Sequence, residues 1–284
     1  MEIKKVGVIG CGLMGGGIAQ VCAQSGYPTI VSEVNQQLLD KGLAAINAFL
    51  SKSVEKGKIT ADDKAATLGR LKGTVSIEDF KDCDIVIEVV VENMDLKRKI
   101  FADLDRICPK HAILASNTSC LSILDMAMAT QRPTKVLGMH FFNPVPTMKL
   151  LEIVETLIND EETLSTAKAF GQSLGKTLIT CKDAPGFIVN RLLIPYILDC
   201  IRVLESGFAT KEDIDQGIVL GLNHPMGPFA LADFVGLDTL YFIANAMYDE
   251  FKDPKYVAPS LLKKMITAGH FGRKTGKGFY DYNK

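Results

Sequence analysis

Short apolar runs rich in Val and Ile recur along the first two thirds of the chain and are separated by amphipathic segments. The runs "KVGVI", "PTIVSE", "DIVIEVV", "AILASNTS" and "KVLGMHFFNP" are typical of strands buried on both faces of a parallel sheet. Residues 36–58 place apolar side chains three or four positions apart, which predicts a helix. Because such strands and helices alternate, we predict an α/β fold with a Rossmann-type, doubly wound, mainly parallel sheet.

Two further patterns predict helix and strand positions in this region. Thr60-x-x-Asp63 resembles a capping box, so a helix is expected to begin there and to end near Gly73. The apolar segments "KLLEIVE" and "TLIT" predict the last strands of the sheet. The sheet is therefore expected to extend to about residue 180.

The pattern changes at "CKDAPGF", where a Pro-Gly turn is followed by helical periodicity. We predict a Rossmann-type domain over residues 1–184 and an all-helical domain over residues 185–284. The segment "FIVNRLLIPYILDCIRVLESG" is apolar nearly all round and is expected to be kinked by Pro195, so it should be deeply buried or lie at an interface. Thr210-x-x-Asp213 predicts another helix start.

Composition narrows the class of protein and of partner. Of the 284 residues, 47% are apolar and 23% are charged, which is ordinary for a globular protein and unlike a disordered one. The net charge of −1 gives no field that favours nucleic acid. Neither a signal-peptide pattern nor a membrane-spanning apolar run is evident, and seven cysteines without a C-x-x-C pair indicate a reducing compartment. We therefore expect a cytoplasmic protein that binds neither nucleic acid nor membrane.

The first apolar run is followed at once by a glycine-rich motif, Gly10-Cys11-Gly12-Leu13-Met14-Gly15. Gly10 permits a tight turn, Gly12 lets the backbone approach a pyrophosphate, and Gly15 lets the following helix lie close to the strand. The helix N-terminus offers N–H groups to the phosphates. Glu33 ends the next strand at the distance expected of a carboxylate that binds a ribose 2′-hydroxyl. Because no Arg follows Glu33 directly in "EVNQQ", the motif favours NAD over NADP.

An ionisable side chain, His140, lies inside the apolar run "MHFFNPV". Glu152 lies within the next predicted strand, and a buried carboxylate needs a partner that offsets its desolvation. If the two side chains pair, the carboxylate fixes the imidazole tautomer and directs the other ring nitrogen toward proton transfer. The pattern fits either a catalytic base held by an acid or a structural His-Glu pair.

Polar residues follow the predicted parallel strands, where ligands of open α/β sheets bind. Glu92, Ser119 and His140 are therefore expected to converge outside the carboxyl ends of these strands. Oxidation of an alcohol with NAD requires a base for the hydroxyl proton while hydride leaves the adjoining carbon. Ser119 and Asn190 are candidate donors to that oxygen. The four histidines show no metal-ligand spacing, so no metal site is expected.

Seven blocks of the sequence resemble the L-3-hydroxyacyl-CoA dehydrogenase family, particularly its stand-alone bacterial members that act on 3-hydroxybutyryl-CoA. They are "GCGLMGGGIAQ", "VVENMDLKRKIF", "ASNTSCLSI", "GMHFFNPVPTMKLLEIV", "DAPGFIVNRLL", "HPMGPFALADFVGLD" and "FGRKTGKGFYDY", and they cover essentially the whole chain in order. The resemblance implies an NAD-dependent dehydrogenase that interconverts (S)-3-hydroxyacyl-CoA, here 3-hydroxybutyryl-CoA, and 3-oxoacyl-CoA, here acetoacetyl-CoA. It also implies that the helical domain closes over the NAD-binding domain and forms a homodimer or a dimer-based oligomer.

The resemblance also implies roles for individual residues of this sequence. The base would be His140, with Glu152 as its partner. Ser119 and Asn190 would contact the substrate oxygen and its surroundings. The acyl-CoA thioester would lie along the helix of residues 36–58, whose lysine-bearing face is otherwise simply solvated, so that Lys52 and Lys56 become candidates for its phosphates. Together with the glycine motif, the expected cofactor contacts are Gly10, Gly12, Leu13, Met14, Gly15, Glu33, Glu92, Lys97, Ser119, Asn143 and Lys274.

Two positions depart from the family pattern, and two other functions stay open. Cys120 stands where a second serine is common, either as a packing residue or as a reactive thiol, and Glu33 stands where aspartate is usual. A dehydrogenase of the same architecture could act on a free hydroxy acid or sugar acid, in which case the lysine-bearing helix would not serve CoA. A dinucleotide-binding protein without catalysis is the other alternative, although it would have no physical need for the full set of polar residues around His140.

Overall fold

The computed structural model describes residues 1–283, which form two compact units. The first unit comprises Met1–Asp183 and the second comprises Ala184–Lys284. The division follows the last strand of the sheet and precedes the Pro-Gly turn at residues 185 and 186.

The first unit contains one eight-stranded sheet in the order β3-β2-β1-β4-β5-β6-β7-β8. Strands β1 to β6 run parallel, β7 pairs with β6 in the antiparallel sense, and β8 runs parallel to β7. The predicted mainly parallel, Rossmann-type sheet is confirmed. The strands are β1 (Val6–Ile9), β2 (Thr29–Ser32), β3 (Leu71–Thr74), β4 (Ile85–Glu88), β5 (Ile113–Ser116), β6 (Val136–Phe141), β7 (Leu150–Glu155) and β8 (Thr177–Lys182).

Helices connect most of these strands and cover the sheet, whereas the loop 142–149 joins β6 to β7. Every residue of β1, β2, β4 and β5 is buried, so side chains on both faces of the sheet centre are shielded from water. This is why the sequence shows continuous apolar runs there and no alternation of apolar with polar residues. The helices are α1 (Leu13–Gln24), α2 (Gln36–Glu55), α3 (Ala61–Gly69), α4 (Met94–Ile107), α5 (Ile123–Ala127) and α6 (Glu161–Ser173).

One predicted boundary is wrong. The capping box at Thr60 and Asp63 is present, but α3 ends at Gly69, and the residues expected to continue the helix to Gly73 instead form β3 at the edge of the sheet. A Cβ on Gly73 would lie 2.9 Å from the Leu43 side chain, so glycine permits close packing of this strand against α2. The four residues "LKGT" contain too little apolar character to reveal a strand that is defined by its pairing with β2.

The second unit is helical. Pro195 lies inside α7. The side of this helix that includes Ile197 and Ile201 is buried within the unit, while Leu192 is 70% exposed, so burial covers one side only and the alternative that the helix lies at an interface stays a prediction. The predicted start of α8 is confirmed, since the Thr210 side chain accepts a hydrogen bond from the backbone of residue 213. The helices are α7 (Val189–Glu205), α8 (Lys211–Gly221), α9 (Pro228–Val235), α10 (Leu237–Phe251) and α11 (Ser260–Thr267).

Two buried carboxylates in the second unit bind backbone amides. Asp215 accepts hydrogen bonds from the N–H groups of Phe229 and Ala230 at the start of α9, at 2.8 and 3.0 Å. Asp233 accepts from the N–H groups of Phe279 and Tyr280 at 2.8 and 2.9 Å. These bonds fasten the start of α9 and the C-terminal segment to the helical core. No single helix of residues 1–283 has the length and apolar character needed to cross a bilayer; α9 and α10 reach both only in combination, and they are bent by 93°.

Candidate active site

The glycine motif forms the turn between β1 and α1. Gly10 has a φ of +99°, a conformation that glycine adopts without steric cost. A Cβ on Gly15 would overlap the carbonyl oxygen of Gly10, so the third glycine lets α1 approach the turn. Gly12 is the N-cap of α1, and a Cβ there would meet nothing within 4 Å. Open space beside the N-terminus of a helix fits a phosphate group.

Glu33 lies directly after β2 and is held against this turn. Its Oε1 accepts a hydrogen bond from the backbone N–H of Cys11 at 2.9 Å, and its Oε2 accepts from that of Val34 at 3.1 Å. The side chain remains partly exposed, so its carboxylate can still accept hydrogen bonds from a ligand. The longer arm of glutamate, compared with aspartate, therefore reaches the glycine turn itself.

A cavity of about 420 Å³ borders the turn, a size within the usual range of small-molecule sites, roughly 300–1,000 Å³. Gly12, Leu13 and Glu33 form one wall, and Asn143, in the loop after β6, forms another. Leu13 is 77% exposed, whereas Met14 packs against the apolar core and not into the cavity. The inner face of α2 completes the lining with Leu38, Lys41, Ala45, Ile46 and Phe49.

His140 and Glu152 form a buried pair across the only antiparallel junction of the described sheet. The register of β6 and β7 places the two residues directly opposite each other. His140 Nδ1 lies 2.6 Å from Glu152 Oε2, and the two residues are 4% and 0% exposed. Because a carboxylate only accepts hydrogen bonds, this contact assigns the ring hydrogen to Nδ1 and presents Nε2 as an acceptor.

Ser119 meets the other side of the same imidazole. Its Oγ lies 3.0 Å from His140 Nε2, and it stands in the loop that follows β5. The Phe142 ring packs edge-on against the His140 ring, with centroids 4.7 Å apart, and shields it from water. Ser119, His140 and Glu152 thus form a continuous polar row in an otherwise apolar part of the sheet.

Glu92 connects this row with the end of β4. Its carboxylate accepts hydrogen bonds from the hydroxyl of Thr118 at 2.8 Å and from the backbone N–H of Ser119 at 3.0 Å. The structure therefore brings Glu92, Ser119 and His140 together outside the carboxyl ends of the parallel strands. Lys97 lies on the first turn of α4 and is 1% exposed, with Nζ 3.4 Å from Glu92 Oε2. In the described structure the Lys97 ammonium therefore contacts protein groups.

Two residues in this region were missed by the sequence analysis. Glu88, the last residue of β4, is 0% exposed and accepts a hydrogen bond from Lys97 Nζ at 2.6 Å. Asn117 Oδ1 accepts from the backbone N–H of Phe141 at 2.8 Å and so ties the loop after β5 to the end of β6. Glu88 carried the same signal as Glu152, a carboxylate inside an apolar run, whereas Asn117 carried none because its partner is a backbone group.

The other predicted site residues lie elsewhere in the fold. Lys52 and Lys56 lie on and directly after the last turn of α2 and are exposed to solvent. Asn190, near the start of α7, and Lys274 belong to the second unit, where Lys274 Nζ lies 2.6 Å from Asp238 Oδ2. Cys120 is 3% exposed, and its burial, together with the nearby Glu92 carboxylate, raises the pKa of its thiol to about 12.

Residues 1–283 contain no group of three or more His, Cys, Asp and Glu side chains arranged to hold a metal ion. All seven cysteines in this range are unpaired, and six of them are buried, where they pack as small apolar side chains.

Comparisons with known proteins identify the family of this chain. The chain matches the family models "3-hydroxyacyl-CoA dehydrogenase, NAD binding domain" over residues 5–184 and "3-hydroxyacyl-CoA dehydrogenase, C-terminal domain" over residues 186–282. It is 48% identical to 3-hydroxybutyryl-CoA dehydrogenase of Mycobacterium tuberculosis H37Rv over 99% of both chains. It is 46% identical to the protein of that name from Clostridioides difficile, over 99% of this chain and 100% of the other.

A solved structure shows the same likeness in three dimensions. The crystal structure of (S)-3-hydroxybutyryl-CoA dehydrogenase PaaH1 from Ralstonia eutropha matches with a TM-score of 0.95 and 46% identity, and 100% of each chain is covered. The matches therefore extend over the sheet-containing unit and the helical unit alike. The chain belongs to the 3-hydroxyacyl-CoA dehydrogenase family and is an NAD-dependent oxidoreductase.

Proposed function

We propose that this protein interconverts (S)-3-hydroxybutyryl-CoA and acetoacetyl-CoA, with His140 as the general base and acid. The observation that carries the proposal is the buried row in which Glu152 binds Nδ1 of His140 and Ser119 binds its Nε2. The names of the most similar relatives support the same substrate. Bound NAD supplies the redox chemistry by accepting hydride from the carbon that carries the substrate hydroxyl.

The protein's own task is to move one proton. In the oxidative direction His140 Nε2 accepts the proton of the substrate hydroxyl, so that the oxygen becomes a carbonyl as the hydride departs. The Glu152 carboxylate stabilises the imidazolium that forms and keeps Nδ1 as the donor on the far side of the ring. In the reductive direction the imidazolium returns the proton to the same oxygen.

Ser119 stabilises the charge on the reacting oxygen. Its hydroxyl lies within hydrogen-bond distance of His140 Nε2. A substrate oxygen bound at this contact would therefore be within reach of both the Ser119 hydroxyl and the imidazole. Asn190, a side-chain amide near the start of α7, is the second donor that the family resemblance supplies. Both donors hold the oxygen while its charge changes.

The residues at the glycine turn fit NAD. Gly12 leaves open space at the helix N-terminus for the pyrophosphate, and Glu33 is held where it can accept hydrogen bonds from the adenosine ribose. A carboxylate in this place repels the 2′-phosphate of NADP. We assign the nicotinamide half to the surroundings of Glu92 and Asn143, with Lys97 as a buried support and Lys274 as a contact from the second unit.

We assign the CoA thioester to the surface at the end of α2. Lys52 and Lys56 are solvated cations at the end of α2, the helix that lines the cavity, and we assign them to the phosphates of CoA.

Exposed apolar side chains such as Leu192 and Phe208, which are 70% and 84% exposed, support a homodimer or dimer-based oligomer formed through the helical unit. The reduced, mostly buried cysteines are consistent with a cytoplasmic protein.

The experiment that tests the proposal compares (S)-3-hydroxybutyryl-CoA with free (S)-3-hydroxybutyrate under steady-state conditions with NAD. We expect turnover of the thioester and a far lower kcat/KM for the free acid. A preference for the free acid would transfer the assignment to a hydroxy-acid dehydrogenase. Binding of NADH, measured by fluorescence, without turnover of any acyl-CoA ester would favour a non-catalytic dinucleotide-binding protein.

A further inference from the structure

Glu88 is a fully buried carboxylate that has no role in the proton transfer proposed above. It ends β4 at the centre of the sheet and is 0% exposed. Its Oε1 accepts hydrogen bonds from Lys97 Nζ at 2.6 Å and from the backbone N–H of Val90 at 2.7 Å. Its Oε2 accepts from the Ser116 hydroxyl at 2.6 Å. Together these hydrogen bonds hold the Glu88 carboxylate in one orientation.

Stability alone is a poor reason for such a pair. Two charges must lose their water, and a buried ion pair is often no more stabilising than apolar side chains of similar volume. Lys97 and Glu88 are 1% and 0% exposed, so both pay nearly the full desolvation penalty. A fully satisfied buried polar network rigidifies the groups that it joins, so a role in fixing the position of a third group is the alternative to stability.

That third group is Glu92. The single ammonium of Lys97 lies 2.6 Å from Glu88 and 3.4 Å from Glu92, so one cation is shared between two carboxylates. Glu88 makes the shorter contact and therefore determines where the ammonium sits. Glu92 in turn accepts the backbone N–H of Ser119 at 3.0 Å, and the Ser119 hydroxyl contacts His140 Nε2 at 3.0 Å.

We infer that Glu88 is a positioning residue for the Ser119–His140 contact and acts through Lys97 and Glu92. The inference rests on the proposed function, because the contact that Glu88 positions is the one proposed to take part in proton transfer. With Glu88 in place, Lys97 is held at the end of β4, and Glu92 keeps its hydrogen bond to the Ser119 backbone. Without that charge Lys97 has Glu92 as its remaining carboxylate partner among these residues and draws it away from Ser119.

The first test is Glu88→Gln, which keeps the size of the side chain and removes its charge. We expect kcat for the CoA ester to fall about 10- to 100-fold, because a misplacement of about 1 Å at an active site can cost about 10²-fold. KM for the ester should change little. In addition, the ring 15N signals of His140 should shift, because the hydrogen bond between the Ser119 hydroxyl and His140 Nε2 is lengthened or lost.

The second test is a double-mutant cycle with Lys97→Met. If Glu88 acts only through Lys97, then Glu88→Gln should lower kcat in the wild-type background and leave it nearly unchanged in the Lys97→Met background. An equal loss in both backgrounds would overturn the inference. If Glu88→Gln does not fold, Glu88→Asp, which keeps the charge on a shorter arm, is compared in the same two backgrounds and is read in the same way.

Asp105→Asn serves as the matched control. Asp105 pairs with Arg132 in the same unit, with side chains 10% and 5% exposed and a contact of 2.7 Å, but it lies outside the catalytic row. We expect this control to lower Tm while kcat per folded molecule and the His140 ring signals stay as in the wild type. If Glu88→Gln behaves like the control, Glu88 is only structural.

The readouts separate this inference from the proposed function. The His140 ring signals do not depend on which substrate the protein accepts. If the wild type fails to turn over the CoA ester while Glu88→Gln still shifts these signals, the proposed function is wrong and the positioning role stands. If the ester is turned over normally by both proteins and the signals coincide, the proposed function stands and the positioning role is wrong.

Discussion

Carboxylates are buried in both units of the chain, but they have different kinds of partner. In the second unit Asp233, which is 1% exposed, accepts hydrogen bonds from the backbone N–H groups of Phe279 and Tyr280. In the first unit Glu152, which is 0% exposed, faces the imidazole of His140 at 2.6 Å. A backbone amide keeps its hydrogen under all physiological conditions, whereas an imidazole gains and loses one. The first arrangement fastens chain segments, and the second can carry a proton.

The comparison teaches that burial of an acid does not by itself mark an active site. Both kinds of carboxylate must offset the same loss of hydration, and both do so with short hydrogen bonds. What distinguishes them is whether the partner can change its protonation state and whether a further polar group continues the row. Ser119 continues it in the first unit, whereas Asp233 is also bound by the Tyr282 hydroxyl, which closes that cluster.

His140→Ala tests most directly whether the two kinds of buried carboxylate differ in function. We expect turnover to fall about 10²- to 10⁴-fold, the typical contribution of general acid–base catalysis, while NADH affinity stays nearly unchanged. Steady-state kinetics and NADH fluorescence titration measure the two quantities. Turnover at the wild-type level would show that the His140–Glu152 pair is as structural as the Asp233 cluster.

The converse test is Asp233→Asn in the second unit. An amide in place of the carboxylate weakens the bonds to two backbone donors and to a tyrosine hydroxyl, and hydrogen bonds to charged groups contribute about 1.5–3 kcal/mol. We expect the free energy of unfolding to fall by about that amount, measured by urea denaturation. The pH profile of kcat should keep its shape. A changed profile would mean that this cluster also takes part in proton transfer.

Glu33 is the intermediate case, since its partners are backbone amides but its carboxylate borders a cavity. Glu33→Ala should weaken NAD binding about tenfold, which corresponds to one charged hydrogen bond, and should reduce the discrimination against NADP. Isothermal titration with both cofactors measures the change. If the affinities for NAD and NADP both stay unchanged, Glu33 has only the structural role of binding the backbone N–H groups of the glycine turn.

A smaller effect is expected from the exposed lysines of α2. Replacing Lys52 and Lys56 together by Gln should raise KM for the CoA ester several-fold with kcat unchanged, because exposed charge pairs contribute about 0.2–1 kcal/mol each. Lys4 and Lys72, whose side chains are 76% and 66% exposed, provide a matched double control that should leave KM as it is. An equal rise of KM in both double variants would mean that the effect comes from the change in net charge and not from contacts with CoA.

Cys120 tests whether proximity to Ser119 is enough to make a group reactive. With its pKa raised to about 12, the thiol carries almost no thiolate at pH 8, and only the thiolate is the nucleophile. Iodoacetamide at that pH should therefore leave activity and the mass of the peptide containing Cys120 unchanged. Rapid alkylation with loss of activity would instead identify a reactive thiol at the site.

The sheet and its ligand-binding end were predictable because buried parallel strands produce uninterrupted apolar runs. His140 and Glu152 could be singled out since an ionisable residue inside such a run is costly unless it is paired. Glu88 carries the same signal, a carboxylate inside an apolar run. The sequence contains no trace of which residues oppose each other across two strands, so the 2.6 Å contact itself emerged only from the register.

Other features depend on partners that no local pattern specifies. Strand β3 exists because β2 lies beside it, and its four residues do not have a strand-like composition. Asn117 gains its importance from a single backbone N–H at Phe141. Lys97 is expected beside the cofactor, and the contacts that bury its side chain, with Nζ 3.4 Å from Glu92 Oε2, could not be predicted from the sequence. Contacts of this kind are decided by tertiary packing.

The antiparallel pairing of β6 and β7 makes the contact between His140 and Glu152 depend on the length of a loop. Side chains alternate between the two faces of a strand, so sliding β7 by one residue would put Leu151 or Ile153 opposite His140 and send the acid to the other face. The connection 142–149 determines where β7 begins, and it must therefore have the right number of residues as well as the right ones. An insertion or deletion there that leaves every polar side chain intact would still separate the imidazole from its anchor.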